Sequence, residues 1–551
     1  MNLTFDLILD LCRYGMIFLM SLLCGILNPF KGYVKNLLLF MLLGGLQYVI
    51  IIYLFEVDFR IPLLFSCAVF IVDSIIHFVK GSTSEAKKEK AKEYISLPVL
   101  KGTRHKQLEF YYPYANFLVY GGAGSGKTKS IGKWLLDEYI KMGFAGFIYD
   151  FKDIDYTQTA YNLMKKHGYK NKFYYVNFDN LNRSYRFNPL KVVKDKTELM
   201  QLMEDMLLSL QSKDAKQDEW FFGGLGILRG VAFRFWNDFN EYCTIPHILT
   251  AIMSSSQIEL TIFLDAHPDS ATMASAFLKA RDSEKTQASY LSTLCNQLAV
   301  IAADENVAWV LSGDDFDFNL IDPKDPKFFA VSNNFSKNSV YSPVIGMLIS
   351  ISSRKFTMQN KVPFVYFLDE MTTVKVKNFE TLPSVLREYK AAFVLLTQSG
   401  AKLENLYGKL DRSSIEANFG NMFLGRTKDV EALKYYPNFF GKEEKERRSR
   451  STGKSGASSN SSVTISSQKE DVYQGKDFSE LEPGEFIGSA TRANVKDFKV
   501  QFRMFEIKEE ELPEIAAVTA EDVYNNYMKI YQEVADIIKI DEPVEDIEKE
   551  S

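Results

Sequence analysis

Eight consecutive residues, Gly121-Gly122-Ala123-Gly124-Ser125-Gly126-Lys127-Thr128, fit the pattern GxxxxGK[ST] at every fixed position. Glycines at this spacing let successive backbone N–H groups turn inward and cradle an anion at the start of a helix. Lys127 then places a point charge on the β- and γ-phosphates of a nucleotide, and the Thr128 hydroxyl can ligate Mg²⁺. A second cluster closes the apolar run Phe364-Val365-Tyr366-Phe367-Leu368 with Asp369 and Glu370. In a phosphate-loop enzyme an Asp at such a place holds the Mg²⁺ shell, and the adjoining Glu can polarise an attacking water. A third apolar run ends Leu395-Leu396-Thr397-Gln398, in an amide that can touch the γ-phosphate or the water. Arg387 precedes that run and reads either as a surface arginine or as a further charge for phosphate. Taken singly, each of these could be a Gly-rich turn, a solvated acidic turn or a polar strand end. Together in one chain they point to ATP hydrolysis with Mg²⁺.

Elements must hold these groups at one place. Phe117-Leu118-Val119-Tyr120 reads as a buried strand running into the Gly-rich loop, with a helical stretch over 130–142 behind it. Gly146 to Asp150 and Phe173 to Val176 read as further strands, and strand signals return at Phe328, Phe364 and Phe393. Short apolar strands alternating with helices predict a parallel sheet covered on both faces. Residues 195–310 carry few strand signals and show helical periodicity, which predicts an all-α insertion. The α/β part is expected over 101–194 and 311–510. The segment 442–470 is dense in Ser, Gly, Lys, Glu and Arg, and is expected to be a flexible loop because it has little apolar surface to bury. Gly484 to Ile487 and Phe498 to Phe502 read as closing strands, and 511–551 as a C-terminal helix followed by an acidic tail from Asp541. That tail reads either as a partner-recognition segment or as a solubilising end.

Composition constrains the rest. With 551 residues there is room for several domains, and a net charge of −5 excludes a chain-wide basic field. Any contact with DNA must come from local Lys/Arg patches. The five cysteines, Cys12, Cys24, Cys67, Cys243 and Cys295, form no CxxC pair, which argues against a zinc ribbon or a disulfide framework.

Residues 1–80 read as a membrane anchor. Runs over 37–55 and 61–79 are each long enough to span roughly 28 Å, close to the hydrocarbon thickness of a bilayer. The connector Glu56-Val57-Asp58-Phe59-Arg60 permits only a tight turn. Lys31 and Lys35 before the hairpin, and Lys80, Lys87, Lys88, Lys90 and Lys92 after it, place both ends in the cytoplasm. Residues 5–27 carry Asp6, Asp10 and Arg13 in an apolar background, and form either a third span or an interfacial helix. A charged linker over 81–100 is expected to join the anchor to the ATPase part.

The order of motifs resembles the TraG/TraD-type coupling proteins of type IV secretion. It rests on the phosphate loop, Tyr149-Asp150-Phe151-Lys152-Asp153, Arg186-Phe187-Asn188-Pro189-Leu190, Leu368-Asp369-Glu370, Leu386-Arg387-Glu388-Tyr389, Thr397-Gln398-Ser399 and the membrane hairpin. The resemblance implies a RecA-like P-loop ATPase domain with an inserted all-α domain and an N-terminal transmembrane anchor in the bacterial inner membrane. It implies a homo-hexamer that takes single- or double-stranded DNA and a relaxase to a type IV secretion channel. It also implies that Arg387 faces the nucleotide of the neighbouring subunit. Two departures stand out: Phe151 and Asp153 replace the Pro and Gly usual in the Asp-Pro-Lys-Gly turn, and the loop between the spans is short. An FtsK-type DNA pump and a secretion receptor that never meets DNA are the competing readings.

Overall fold

The computed structural model describes residues 94–211, 217–359, 361–455 and 458–540, with the side chains of 447–465 and 540 left aside. All of these belong to the unit Glu93–Ser551. The expected membrane runs and the acidic end from Asp541 lie outside the described residues. Among the described residues no helix is long and apolar enough to cross a membrane.

Among the described residues one eleven-stranded sheet organises the unit, in the order β2-β1-β13-β12-β9-β3-β8-β7-β4-β6-β5. In chain order the strands are β1 (Ile95–Lys101), β2 (Gln107–Phe110), β3 (Phe117–Tyr120), β4 (Ala145–Asp150), β5 (Lys172–Val176) and β6 (Lys327–Ser332). Then follow β7 (Phe364–Asp369), β8 (Ala391–Thr397), β9 (Asn421–Gly425), β10 (Lys442–Ser455), β11 (Ser458–Asp471), β12 (Glu485–Ala490) and β13 (Asp497–Phe502). From β9 to β5 the neighbours run parallel, and from β9 out to β2 they run antiparallel. Strands β3, β4, β6, β7 and β8 are buried along their whole length. A strand covered on both faces is apolar without alternation, which is why these runs are legible as sequence.

Strand β8 lies between β3 and β7. Adjacent strands are about 4.8 Å apart, so the loop after β3 and the carboxylates after β7 stand roughly 10 Å apart at the same edge. That gap is wide enough for a γ-phosphate, a metal ion and a water, and Gln398 sits in the middle of it.

Between β5 and β6 the chain is helical, with long helices at Lys196–Ser209, Glu219–Asn237, Ile245–Ser254 and Glu284–Ala302. The C-terminal helix Ala520–Ile540 packs on this helical layer, through buried Ile530, Val534, Ile537 and Ile538. Tyr527 donates its hydroxyl to the carbonyl of Ala302 at 3.3 Å, and His247 Nε2 lies 3.0 Å from Glu533 Oε2. An extended strap over 503–519 reaches this helix from the ATPase sheet. Along it, Trp134 donates to the Arg503 carbonyl at 2.8 Å, Lys133 pairs with Glu509 at 3.1 Å, and Tyr175 donates to the Pro513 carbonyl at 2.8 Å.

Two expectations need correction. The linker over 81–100 is in part sheet, since β1 starts at Ile95. Ile95, Leu97 and Val99 alternate inward and are buried, a period-two pattern that pairs with β2 and β13. The segment 442–470 is not a structureless loop. Strands β10 and β11 form an antiparallel ribbon in continuous register from Lys442↔Asp471 to Ser455↔Ser458. The expectation rested on the lack of apolar side chains, whereas a ladder satisfies the backbone whatever the side chains are. The ribbon root is anchored by Phe440, whose ring stands edge-on to Tyr473 at 4.9 Å.

Candidate nucleotide-binding site

The phosphate loop is held at both flanks by its neighbours in the sheet. Gly121 N–H donates to the Thr397 carbonyl at 3.3 Å on the β8 side, and Gly122 N–H donates to the Arg426 carbonyl at 2.8 Å on the β9 side. Gly124 and Gly126 have φ of +72° and +92°, the left-handed region that side chains disfavour. At Gly126 space forbids a side chain as well, because a Cβ would lie 2.6 Å from the Gly484 nitrogen. Ser130 N–H donates back to the Gly126 carbonyl at 2.8 Å, so the loop passes directly into a π-helical turn over Lys127–Gly132 and the helix Lys133–Lys141. The loop amides thus stand at the positive end of a helix.

Lys127 is turned onto its own loop, donating to the carbonyls of Gly121 and Gly122. Burial lowers its pKa, while the nearby carboxylates Glu370 and Asp369 oppose that shift. An ammonium bound only to carbonyls, with two acids close by, is placed to exchange those contacts for phosphate oxygens. Thr128, half-buried in the first turn, follows directly.

Asp369 ends β7 with 3% of its surface exposed, and burial pushes its pKa up to about 7 even though Lys152 stands close enough to lower it. Among the described residues its Oδ2 has no hydrogen-bond partner, and neither has the buried Ser125 Oγ in the loop. Burying a carboxylate without enough positive charge is costly, and a divalent cation removes the cost. Among the described residues no group of three or more His, Cys, Asp or Glu could hold a metal ion. One carboxylate and one hydroxyl therefore fit Mg²⁺ carried in on phosphates better than a metal held in an all-protein cage.

Glu370 adopts φ 48° and ψ 48°, a left-handed conformation for a residue with a side chain. The bend turns its carboxylate toward β8. There Oε1 accepts from the Thr372 hydroxyl at 3.2 Å, the Thr397 hydroxyl at 3.3 Å and the Gln398 N–H at 3.3 Å. The Gln398 side-chain oxygen accepts from Lys402 Nζ at 2.8 Å. The structure thus brings Lys127, Thr128, Asp369, Glu370 and Gln398 to one edge of the sheet.

It does not bring Arg387 there. Arg387 is exposed in the 3₁₀ turn Leu386–Tyr389, which leads into the first residue of β8, whereas Gln398 follows its last. The seven residues of β8 separate the two by roughly 23 Å. Two neighbours of the site escaped the sequence reading. Lys402 lies one helical turn after Gln398, a spacing that could have drawn attention to it. Arg426 follows β9, a strand that carried no expectation, and its guanidinium comes within 3.8 Å of where a Cβ on Gly124 would be.

Residues 78–485 match the sequence model of a family described as Type IV secretory system Conjugative DNA transfer. The fold is similar to that of the bacterial conjugative coupling protein TrwB. Its complex with the non-hydrolysable GTP analogue GDPNP aligns with a TM-score of 0.60 and 15% identity, over 79% of this chain and 95% of that one. The TrwB complex with ADP and Mg²⁺ aligns with a TM-score of 0.57 and 15% identity, over 73% and 88%. At that identity the likeness speaks for the fold. A comparison with curated proteins gave no match. The family match extends over well over half of the sequence and takes in every site residue named above, so the chain belongs to the type IV secretory system conjugative DNA transfer family, the TraG/TraD-type coupling proteins.

Proposed function

We propose that this chain is the ATP-hydrolysing motor of conjugative DNA transfer, anchored in the inner membrane through 37–55 and 61–79 and working as a homo-hexameric ring. The observation that carries this reading is the meeting of Lys127, Asp369, Glu370 and Gln398 at one sheet edge in a member of this family. ATP is the nucleotide and Mg²⁺ its cation. The loop amides from Gly122 to Lys127 receive the phosphates, Lys127 holds the β- and γ-phosphates, and Thr128 with Asp369 holds the Mg²⁺ shell. When bound, Mg²⁺ neutralises charge on the phosphates. Glu370 accepts a proton from the attacking water while the bond from the γ-phosphorus to the bridging oxygen breaks. Gln398, one strand over from Asp369, orients that water. Arg387 completes the site of a neighbouring subunit in the ring.

The cargo is DNA, single- or double-stranded, delivered with its relaxase to the secretion channel. Donor cells in which Lys127→Ala replaces the wild-type copy should make the protein at normal level yet lose transfer of a mobilisable plasmid. Normal transfer from those donors would sink the motor assignment. DNA-dependent ATPase activity separates this reading from a secretion receptor that acts on protein alone.

A further inference from the structure

We infer that Arg426 is a phosphate-contacting arginine acting within its own subunit, on the nucleotide held by Lys127; the inference rests on the nucleotide-site reading above. Strand β9 runs parallel to β3 with Leu424 beside Tyr120, so Arg426 continues alongside the first residues of the phosphate loop. Its carbonyl accepts the Gly122 N–H at 2.8 Å, which fixes its backbone against the loop. Thr427, the next residue, is buried, and its N–H is held by the Phe478 carbonyl at 3.4 Å. The side chain is therefore launched from a rigid position. From there the guanidinium reaches Gly124 at the bend of the loop, where a Cβ would come within 3.8 Å of Nη2.

Arg426 is half-buried, and its guanidinium has no hydrogen bond or ion pair among the described residues. An arginine built to stabilise the fold would be expected to have a carboxylate or carbonyl at its fork. Instead the fork stands beside amides that are arranged for phosphate. A guanidinium stays charged at all working pH values and can donate to two phosphate oxygens at once. Charge moves onto the phosphate oxygens as the terminal bond breaks, so such a group favours the transition state over bound ATP. Arg387, at the far end of β8, cannot take this place in its own chain.

Substitution separates this role from a structural one, because Arg426→Ala removes the fork and keeps the carbonyl that holds Gly122. On the full chain in detergent, Arg426→Ala should lower kcat by about 10²–10³-fold, the usual cost of losing one such donor. KM for ATP should change far less, and Arg426→Lys should recover part of the rate. Mixed rings decide between subunits. Arg426→Ala combined with Lys127→Ala should stay at background, since neither chain has a complete loop with its own arginine. An Arg426→Ala variant with wild-type kcat, or one that recovers on mixing with Lys127→Ala, overturns the assignment. If wild-type protein binds no ATP, the nucleotide-site reading fails and the assignment with it; if wild-type turns over and Arg426→Ala does so equally, the assignment alone fails.

Discussion

The ammonium of Lys402 lies 3.7 Å from the carboxylate of Glu370. It also donates to the Gln398 amide oxygen at 2.8 Å, so one side chain ties together the two groups proposed to act on the attacking water. Lys402 is 48% exposed, which screens the attraction and limits it to about 1 kcal/mol. Lys402→Met should therefore lower kcat by no more than about fivefold, with KM for ATP nearly unchanged. Steady-state kinetics check this; a rise in KM at unchanged kcat would instead make Lys402 a nucleotide-binding residue.

Lys127→Ala and Glu370→Gln should both abolish turnover, for different reasons. Without the Lys127 charge the β- and γ-phosphates lose their main contact, and binding fails. If Glu370 is the base, as proposed, losing its carboxylate leaves no group to accept the proton from water, and ATP should stay bound and intact. Equilibrium binding of a fluorescent ATP analogue distinguishes the two. Equal loss of binding in both variants would remove Glu370 from the role of base.

Much of this site was legible from the chain alone, and the reason lies in β3, β7 and β8. Each is buried on both faces, so each reads as an unbroken apolar run, and the polar residues that end them stand out against it. The antiparallel edge was less visible. Strand β9, Asn421 to Gly425, is short and is flanked by Gly420 and Arg426, so Arg426 had no element to place it at the loop. The ribbon of β10 and β11 is held by its ladder and by the Phe440–Tyr473 contact at its root, neither of which leaves a periodic side-chain signal. The packing of the C-terminal helix on the helical layer depends on contacts such as His247–Glu533, far apart in sequence.

That last contact predicts a pH dependence. Burial lowers the pKa of His247 below 6.5, outweighing the pull of Glu533 in the opposite direction, and Lys529 adds to the lowering. Thr244 Oγ1, 2.6 Å from Nδ1, is its other polar neighbour. The folded state prefers neutral imidazole, so the unfolded chain binds more protons in acid. This contribution to stability is present above the ordinary histidine value and is lost as pH falls below it. Hydrogen exchange across Ala520–Ile540, corrected for intrinsic rates, should show weaker protection at pH 5 than at pH 8. In His247→Gln that difference should shrink; an unchanged difference would place its origin elsewhere.

Arg387 makes a separate claim about assembly. Its exposed position at the far end of β8 suits a group that serves a neighbour. Arg387→Ala should lower turnover by about 10³–10⁵-fold if it acts as an arginine finger. Mixed with Lys127→Ala, some interfaces would pair an intact loop with an intact Arg387, and ATPase activity should return. Background activity after demonstrated subunit exchange would mean that Arg387 is structural.

The central claim is that ATP hydrolysis at the Lys127–Glu370 site is coupled to DNA, and the most direct measurement is the ATPase rate of the full chain in detergent or vesicles, with and without single-stranded DNA. DNA should raise kcat several-fold in the wild type, and Glu370→Gln should show no activity under either condition. Turnover that depends on Lys127 and Glu370 yet stays the same across all DNA concentrations would contradict the account.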